Sequence, residues 1–280
     1  MIDTHVHIWN FDRAGYEWLK GNTTILNRHY LIDELDAERK IAGITKGVLV
    51  QASNTIQETN YMLETALERE WIKGVVGWLP LIDPEQTERI LTAQYSHQPY
   101  IKGIRHLIHD EPNAKWLLQP GVLESLQLLA DYNLTYDVVG VADEHLQCAI
   151  TIAEKMPSLK LVLDHLNHPP IGKDESAGNW FALMKEAAQH KNIYVKISGL
   201  GTCIEKNRIW NADDIKPYID FALSTFGVNR CFCGGDWPVS LLAGSYTYNW
   251  NIYKEVLSSL LGENDLKKVY DENAASFYKL

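Results

Sequence analysis

Short apolar runs alternate with longer amphipathic segments along the whole of this chain, and that alternation restricts it to folds built from parallel βαβ units. The runs expected to form strands are Ile2–Ile8, Gly47–Gln51, Val75–Leu81, Ile101–His106, Thr135–Val139, Lys160–His165, Ile193–Ile197 and Arg230–Gly234. Between them the apolar residues recur at helical spacing, as in Met62, Leu63, Ala66 and Leu67, or Val122, Leu123, Leu126 and Leu129. Asp83-Pro84, Gln119-Pro120-Gly121, Met156-Pro157 and Phe226-Gly227 punctuate these segments as turn signals. About eight such repeats in 280 residues fit a single-domain (β/α)8 TIM barrel, allowing for some distortion, better than a Rossmann-like sheet. No Gly-x-Gly-x-x-Gly follows an early strand, and no linker or low-complexity tract divides residues 1–280. A barrel of this kind builds its site on the loops that follow the strands. Those connections are long at 10–30, 107–120, 166–179, 198–213 and 237–248.

A net charge of −10 argues against general nucleic-acid binding, which calls for a basic face. Hydrophobic residues make up 46% of the chain, enough for a packed core, yet no apolar run has transmembrane length. The strand-like opening at residue 2 leaves no place for a signal peptide, so a cytoplasmic protein with no membrane partner is expected. Cys148, Cys203, Cys231 and Cys233 are too scattered for a four-cysteine zinc site and read as reduced thiols.

The ionisable residues collect at the ends of the expected strands. His5 and His7 stand near the end of the first, where side chains two apart share a face. Such a pair can ligate a metal, bind an anion or shuttle protons. Gln51 ends the second strand, Arg105 and His106 the fourth, and Asp164 and His165 the sixth. Asp137 and Lys196 lie within the fifth and seventh, and Asp236 follows the eighth. Burying so many charges at one rim is costly unless they pair or serve a site.

Five motifs carry a family resemblance: Asp3-Thr4-His5-Val6-His7-Ile8-Trp9, Gly103-Ile104-Arg105-His106, Leu163-Asp164-His165-Leu166, Val195-Lys196-Ile197-Ser198-Gly199-Leu200 and Gly235-Asp236-Trp237-Pro238-Val239. In this order they resemble the amidohydrolase superfamily, in the branch of L-fuconolactonase, L-rhamnonolactonase and related sugar-lactone hydrolases. Two positions depart from the pattern of that branch. Asn167-His168-Pro169 stands where Gly-Lys-Pro is usual, which puts His168 at the substrate rim, and Gly235 replaces a common serine.

The resemblance implies hydrolysis of a small sugar-derived lactone to its aldonic acid, with Asp236 as the base that activates water. His165 would position the water or the carbonyl. Arg105 and His106 alternate on their strand, so one faces the substrate; His106 is expected to be that one, with Arg105 a fixed ion-pair partner. Lys196 is expected either in catalysis or paired with Asp137 or Asp164. Trp9, Trp237, Tyr246, Tyr248 and Trp250 would suit a sugar-ring platform. Arg105-His106 supplies no carboxylate to bridge two metals, and Asp137 stands where a histidine ligand is common. What remains, His5, His7, His165 and Asp236, suffices for one zinc or manganese ion, and a metal-free route stays equally open. The rivals are a metal-dependent decarboxylase of aromatic acids on the same barrel and a non-catalytic sugar-binding barrel. A homo-oligomer is compatible with all of these.

Overall fold

The computed structural model describes residues 1–172, 179–204 and 209–280. Parts of the loops at 166–179 and 198–213 therefore lie outside the described residues. Eight parallel strands stand side by side in sequence order among those described: β1 (Ile2–Val6), β2 (Lys46–Val50), β3 (Ile72–Gly77), β4 (Ile101–His106), β5 (Thr135–Val138), β6 (Leu161–Leu163), β7 (Ile193–Ile197) and β8 (Cys231–Cys233). The last strand returns to the first. Asp236 N donates to His5 O at 2.7 Å, His7 N to Trp237 O at 2.7 Å, and Thr4 Oγ1 to Cys233 O at 2.8 Å. This is the expected (β/α)8 barrel.

The helices of the outer layer are α1 (Asp36–Ile41), α2 (Ile56–Glu68), α3 (Pro84–Ile90), α4 (Pro120–Asp131), α5 (Asp143–Lys155), α6 (Trp180–Ala187), α7 (Ala212–Phe226) and α8 (Tyr246–Leu260), followed by the short α9 (Glu263–Lys267) and α10 (Asn273–Tyr278). Their starts follow local chemistry. Thr55, Asp83 and Ser245 each accept a hydrogen bond from the backbone three residues on, and Pro84 opens α3 where no amide hydrogen is needed. No described helix is long and apolar enough to cross a membrane. The cysteines form no disulfide among the described residues.

Several strands end a residue or two from the expected bounds, and in two of them, the third and the sixth, the difference has a local cause. The third lies at Ile72–Gly77 rather than Val75–Leu81, because Pro80 removes a ladder donor and the chain turns out of the sheet. The sixth stops at Leu163, since the backbone enters a left-handed turn at His165.

Two layers fill the barrel axis. At the end where the strands begin, Ile2, Val48, Val50, Val76, Val162 and Phe232 form an apolar floor, sealed from outside by Ala274, Phe277 and Tyr278 of α10. Above it lies a polar layer that carries the site. Ile2 faces the axis, so a regular pleat would send both Asp3 and His5 outwards. The register between β1 and β2 instead shifts between Asp3 and Val6. This bulge leaves Asp3 facing α8, where Tyr246 donates to its Oδ2 at 2.6 Å, and turns His5 into the barrel. Asp3 Oδ1 also accepts from His5 N and Gly235 N, at 2.9 and 2.7 Å, which ties the bulge to the closing seam.

Glu58, in the first turn of α2, reaches back to the loop after β2 and accepts from Ala52 N and Ser53 N at 3.0 and 2.7 Å. Burial pushes its carboxyl up to about 8 in spite of those donors.

Two outcomes follow for stability. Phe277→Ala should empty part of the floor and cost about 3–5 kcal/mol, read by urea denaturation. Because the folded chain holds the Glu58 proton from its ordinary pKa of 4.5 up to about 8, stability should fall as pH rises through that window. Glu58→Gln should flatten that slope in denaturation midpoints measured from pH 5 to pH 8.

Candidate active site

The ionisable strand ends meet above the floor, at the base of a cavity of about 340 Å³ that opens on the face where the strands end. That volume suits a small ligand. His7, Arg105, His165 and Asp236 form its polar base, and Trp18, Ala52, Leu107, Val139, Val141 and Val239 its apolar walls. His109, Asp110, His168 and Thr202 complete the lining.

His5 and His7 do converge, as side chains two apart on a strand should, with their Nε2 atoms 3.1 Å apart, and the bulge in β1 is what turns that face into the barrel. His7 Nδ1 lies 2.7 Å from Val50 O, an acceptor only, so Nδ1 carries the proton and Nε2 presents a lone pair. Asp236 Oδ1 is 3.4 Å from His7 Nε2, 3.8 Å from His5 Nε2 and 3.9 Å from His165 Nε2. Burial lowers the proton affinity of His7, and burial with Lys196 and His165 nearby holds His5 well below the usual imidazole range. Burial alone would push the Asp236 carboxyl up, but His165, His7 and Arg105 outweigh it and hold it below the ordinary carboxylate value. At neutral pH the base therefore presents an ionised Asp236 carboxylate beside the neutral imidazoles of His5 and His7.

His165 and Asp236 sit in left-handed backbone, with φ of 54° and 55°. His165 opens a run of four such residues, continued by Leu166, Asn167 and His168. Each costs on the order of 1–2 kcal/mol in a non-glycine residue. The run is held by His168 N on His165 O at 3.0 Å and by the Trp180 indole on Leu166 O at 2.9 Å. Its effect is to aim His165 across the barrel mouth, where Ser198 Oγ lies 2.9 Å from its Nδ1. Gly199 makes this approach feasible. It has φ of +59°, and a Cβ there would stand 2.6 Å from His165 Nδ1 and 2.8 Å from Asp236 Oδ2.

Arg105 is the ion-pair partner expected of it, but it and not His106 is the one that faces the cavity. Arg105 turns inwards. Its Nε donates to Gln51 Oε1 at 2.9 Å, its Nη2 to Gln51 O, and its Nη1 to Asp164 Oδ2 at 3.0 Å, while Nη1 also lies 3.2 Å from His5 Nε2. It is thus both an ion-pair partner and a cavity-lining donor. His106 points away from the cavity, because the strand period of two leaves it the opposite face. It stacks on Trp116 at 3.9 Å, accepts from the Trp78 indole at 3.0 Å, and lies 2.7 Å from Glu111. Lys196 is fully buried under the site and pairs with both expected partners, Asp137 at 2.5 Å and Asp164 at 3.1 Å.

The aromatic residues expected as a sugar platform do not line the cavity either. Trp9 packs edge-on against Trp18 and Tyr30, and Trp237 against Tyr30. Tyr246 is buried on Asp3, Trp250 packs beside Tyr246 and Tyr253, and Tyr248 donates to Trp210 O outside the cavity. The helix bearing the last three buries the rings of Tyr246 and Trp250 against the outside of the barrel and leaves Tyr248 exposed. Trp18 is the aromatic wall instead, anchored by its indole on Ala52 O at 2.7 Å. Its only sequence signal is its place in the long loop after β1. His168 lines the cavity as its position at the rim implied, whereas His109, Asp110 and the structural roles of Asp3 and Ser198 went unread.

The amidohydrolase family profile matches residues 2–280. An L-fucono-1,5-lactonase from Burkholderia ambifaria is 30% identical over 283 aligned residues, covering 100% of this chain and 95% of that protein. An L-rhamnono-gamma-lactonase from Scheffersomyces stipitis is 22% identical over 100% of this chain and 98% of its own length. A crystal structure of an amidohydrolase from Burkholderia multivorans, with bound zinc, superposes with a TM-score of 0.91 at 29% identity, covering 100% of this chain and 99% of that one. From its second residue to its last, the chain belongs to the amidohydrolase family.

Proposed function

We propose that this protein hydrolyses the ring ester of a small sugar-derived lactone to the open aldonic acid. The observation that carries the reading is the ionised Asp236 carboxylate, set at the base of a small-ligand cavity beside an inward-facing guanidinium. The L-fucono-1,5-lactonase similarity along the full chain supplies the substrate class. A water placed over Asp236 loses its proton to the carboxylate as its oxygen attacks the lactone carbonyl. Arg105 stabilises the negative charge that develops on the carbonyl oxygen, held in place for this by Gln51 and Asp164. Asp236 then returns the proton to the ring oxygen as the carbon–oxygen bond breaks. His165 and His168 face the same space and supply contacts to substrate hydroxyls. The apolar walls turn water away from all but the attacked face.

The donor atoms also fit one divalent ion. The separations among His5 Nε2, His7 Nε2 and Asp236 Oδ1 run from 3.1 to 3.8 Å. The edges of a tetrahedron with metal–ligand arms of about 2.1 Å are of about that length. The lone pair of His7 faces His5 with no proton of its own between them, an arrangement that a cation relieves. Arg105 and Lys196 are opposed by three carboxylates, Asp137, Asp164 and Asp236, so the polar layer is short of positive charge. His5, His7 and Asp236, with His165 beside them, would hold the ion. Bound there, it would polarise a carbonyl or acidify a water. The Arg105 guanidinium beside His5 weakens the site for any such cation.

Asp236→Asn should lower turnover of aldonolactones by about 10²–10⁴-fold in a pH-indicator assay, with the circular dichroism spectrum unchanged. A near wild-type rate in that variant would overturn the assignment. Exhaustive chelation should remove bound metal, measured by elemental analysis, and lower turnover until zinc or manganese is restored. Full turnover by metal-free protein would reject the ion and leave Asp236 and Arg105 to carry the reaction.

A further inference from the structure

The turn that leaves β4 brings Leu107, His109 and Asp110 to the cavity. The residues on either side of that turn, His106 and Glu111, meet behind it. His106 Nδ1 accepts from the Trp78 indole at 3.0 Å, a group that can only donate. Burial lowers the proton affinity of this ring, so at neutral pH it carries a single proton, on Nε2. Glu111 Oε1 lies 2.7 Å from that nitrogen and accepts the proton's hydrogen bond. The Asn54 side-chain nitrogen, 3.3 Å away, is itself a donor, because the Asn54 oxygen takes Leu107 N at 3.0 Å. With its ring stacked on Trp116 and its side chain buried, His106 is the fixed member of the pair and Glu111 the one drawn in.

The backbone bonds of the turn do not do this work. Asp110 N on Leu107 O and Glu111 N on Ile108 O, each 3.2 Å long, close the turn upon itself. Ile108 is buried in the core, but apolar packing has little direction. Leu107 N on Asn54 ties the near end to the loop after β2, and Glu111 on His106 ties the far end. Between these ties stand His109 and Asp110, with His109 Nε2 and Asp110 Oδ1 3.7 Å apart and their side chains 30% and 49% exposed. A carboxylate accepts hydroxyl hydrogens, and an imidazole beside it bonds a neighbouring hydroxyl.

We infer that the turn at 107–110 selects among lactones by the placement of their ring hydroxyls, and that His106 and Glu111 are positioning residues that latch it. The selection rests on the lactonase reading and deepens it; the latch does not depend on it. Asp110 and His109 take hydroxyls on one side of the sugar ring, while Leu107 covers an apolar stretch of it. Inverting the carbon that bears such a hydroxyl leaves the pair facing a C–H, and the lactone loses affinity. His106 serves the substrate from one step back, without touching it.

Glu111→Ala removes the latch, whereas Glu111→Gln keeps an acceptor for His106 Nε2. Hydrogen–deuterium exchange of the backbone amides at 107–111, read by mass spectrometry, tests the latch without substrate. In Glu111→Ala that segment should exchange about tenfold faster, and in Glu111→Gln at close to the wild-type rate. Selection is tested on the 1,5-lactones of gluconic, mannonic and galactonic acids in both D and L series, which differ at single hydroxyl-bearing carbons. For the preferred lactone Glu111→Ala should raise KM about tenfold and leave kcat within about twofold. The preference in kcat/KM between that lactone and its epimers should narrow, in Asp110→Ala as well, and Glu111→Gln should restore the wild-type pattern. Unchanged exchange in Glu111→Ala overturns the latch, and so does Glu111→Gln behaving as Glu111→Ala. An equal loss on every lactone, or a fall in kcat at constant KM, overturns the selection. If the wild-type protein turns over no lactone, the lactonase reading fails and the selection with it, while exchange still decides the latch.

Discussion

The hydrogen bond from Asp236 N to His5 O, 2.7 Å long, joins the two ends of the barrel and the two ends of its site at once. A closed sheet satisfies its edge groups only when the last strand finds the first, and here the pairing residues are Asp236, whose carboxylate faces the cavity, and His5, buried beside it. Asp3 reinforces the same seam by accepting from the backbone on both sides of it. Chemistry and closure are consequently not separable in this chain. An open or misregistered barrel would retain its helices and most of its core yet hold none of the geometry that brings Asp236 to His7.

Beneath that seam lies a layer of fully buried charge. Lys196, Asp137 and Asp164 have no exposed side-chain surface, and Arg105 almost none. Taking such groups out of water costs several kcal/mol each unless every one is matched, and a hydrophobic filling could serve stability as well. The return is orientation. Each group has at least two partners, so none can rotate without breaking another contact, and the imidazoles above inherit that rigidity. The apolar floor below strengthens each of these interactions by keeping water from the lower side.

How far these features could be read from the residues depended on whether the signal was local. The barrel followed from the alternation of runs, and the crowding of His5, His7, His165 and Asp236 at one rim followed from where strands end. The inward turn of Arg105 was not legible, because a period of two says that neighbours oppose each other and not which of them faces in. The partnerships of Asp3 were hidden for another reason: a bulge reverses faces without altering the residue pattern. The aromatic platform failed because a tryptophan or tyrosine in a loop fits a core as readily as a cavity wall, and only the packing of Trp9 against Trp18 distinguishes them. Tyr278 carried no signal at all, since its partner Asp137 is 141 residues away in sequence.

The left-handed run from His165 to His168 has a bearing on how this protein could change. Glycine or asparagine would occupy those angles at less cost, so the most direct substitutions for hardening the barrel against heat fall on Leu166 and the two histidines that flank the cavity. Leu166 is buried beneath the turn, and the histidines face the ligand space. Relief of strain at any of them would release the turn that aims the others. A lineage selected only for endurance would drift towards a sturdier and blunter version of this cavity.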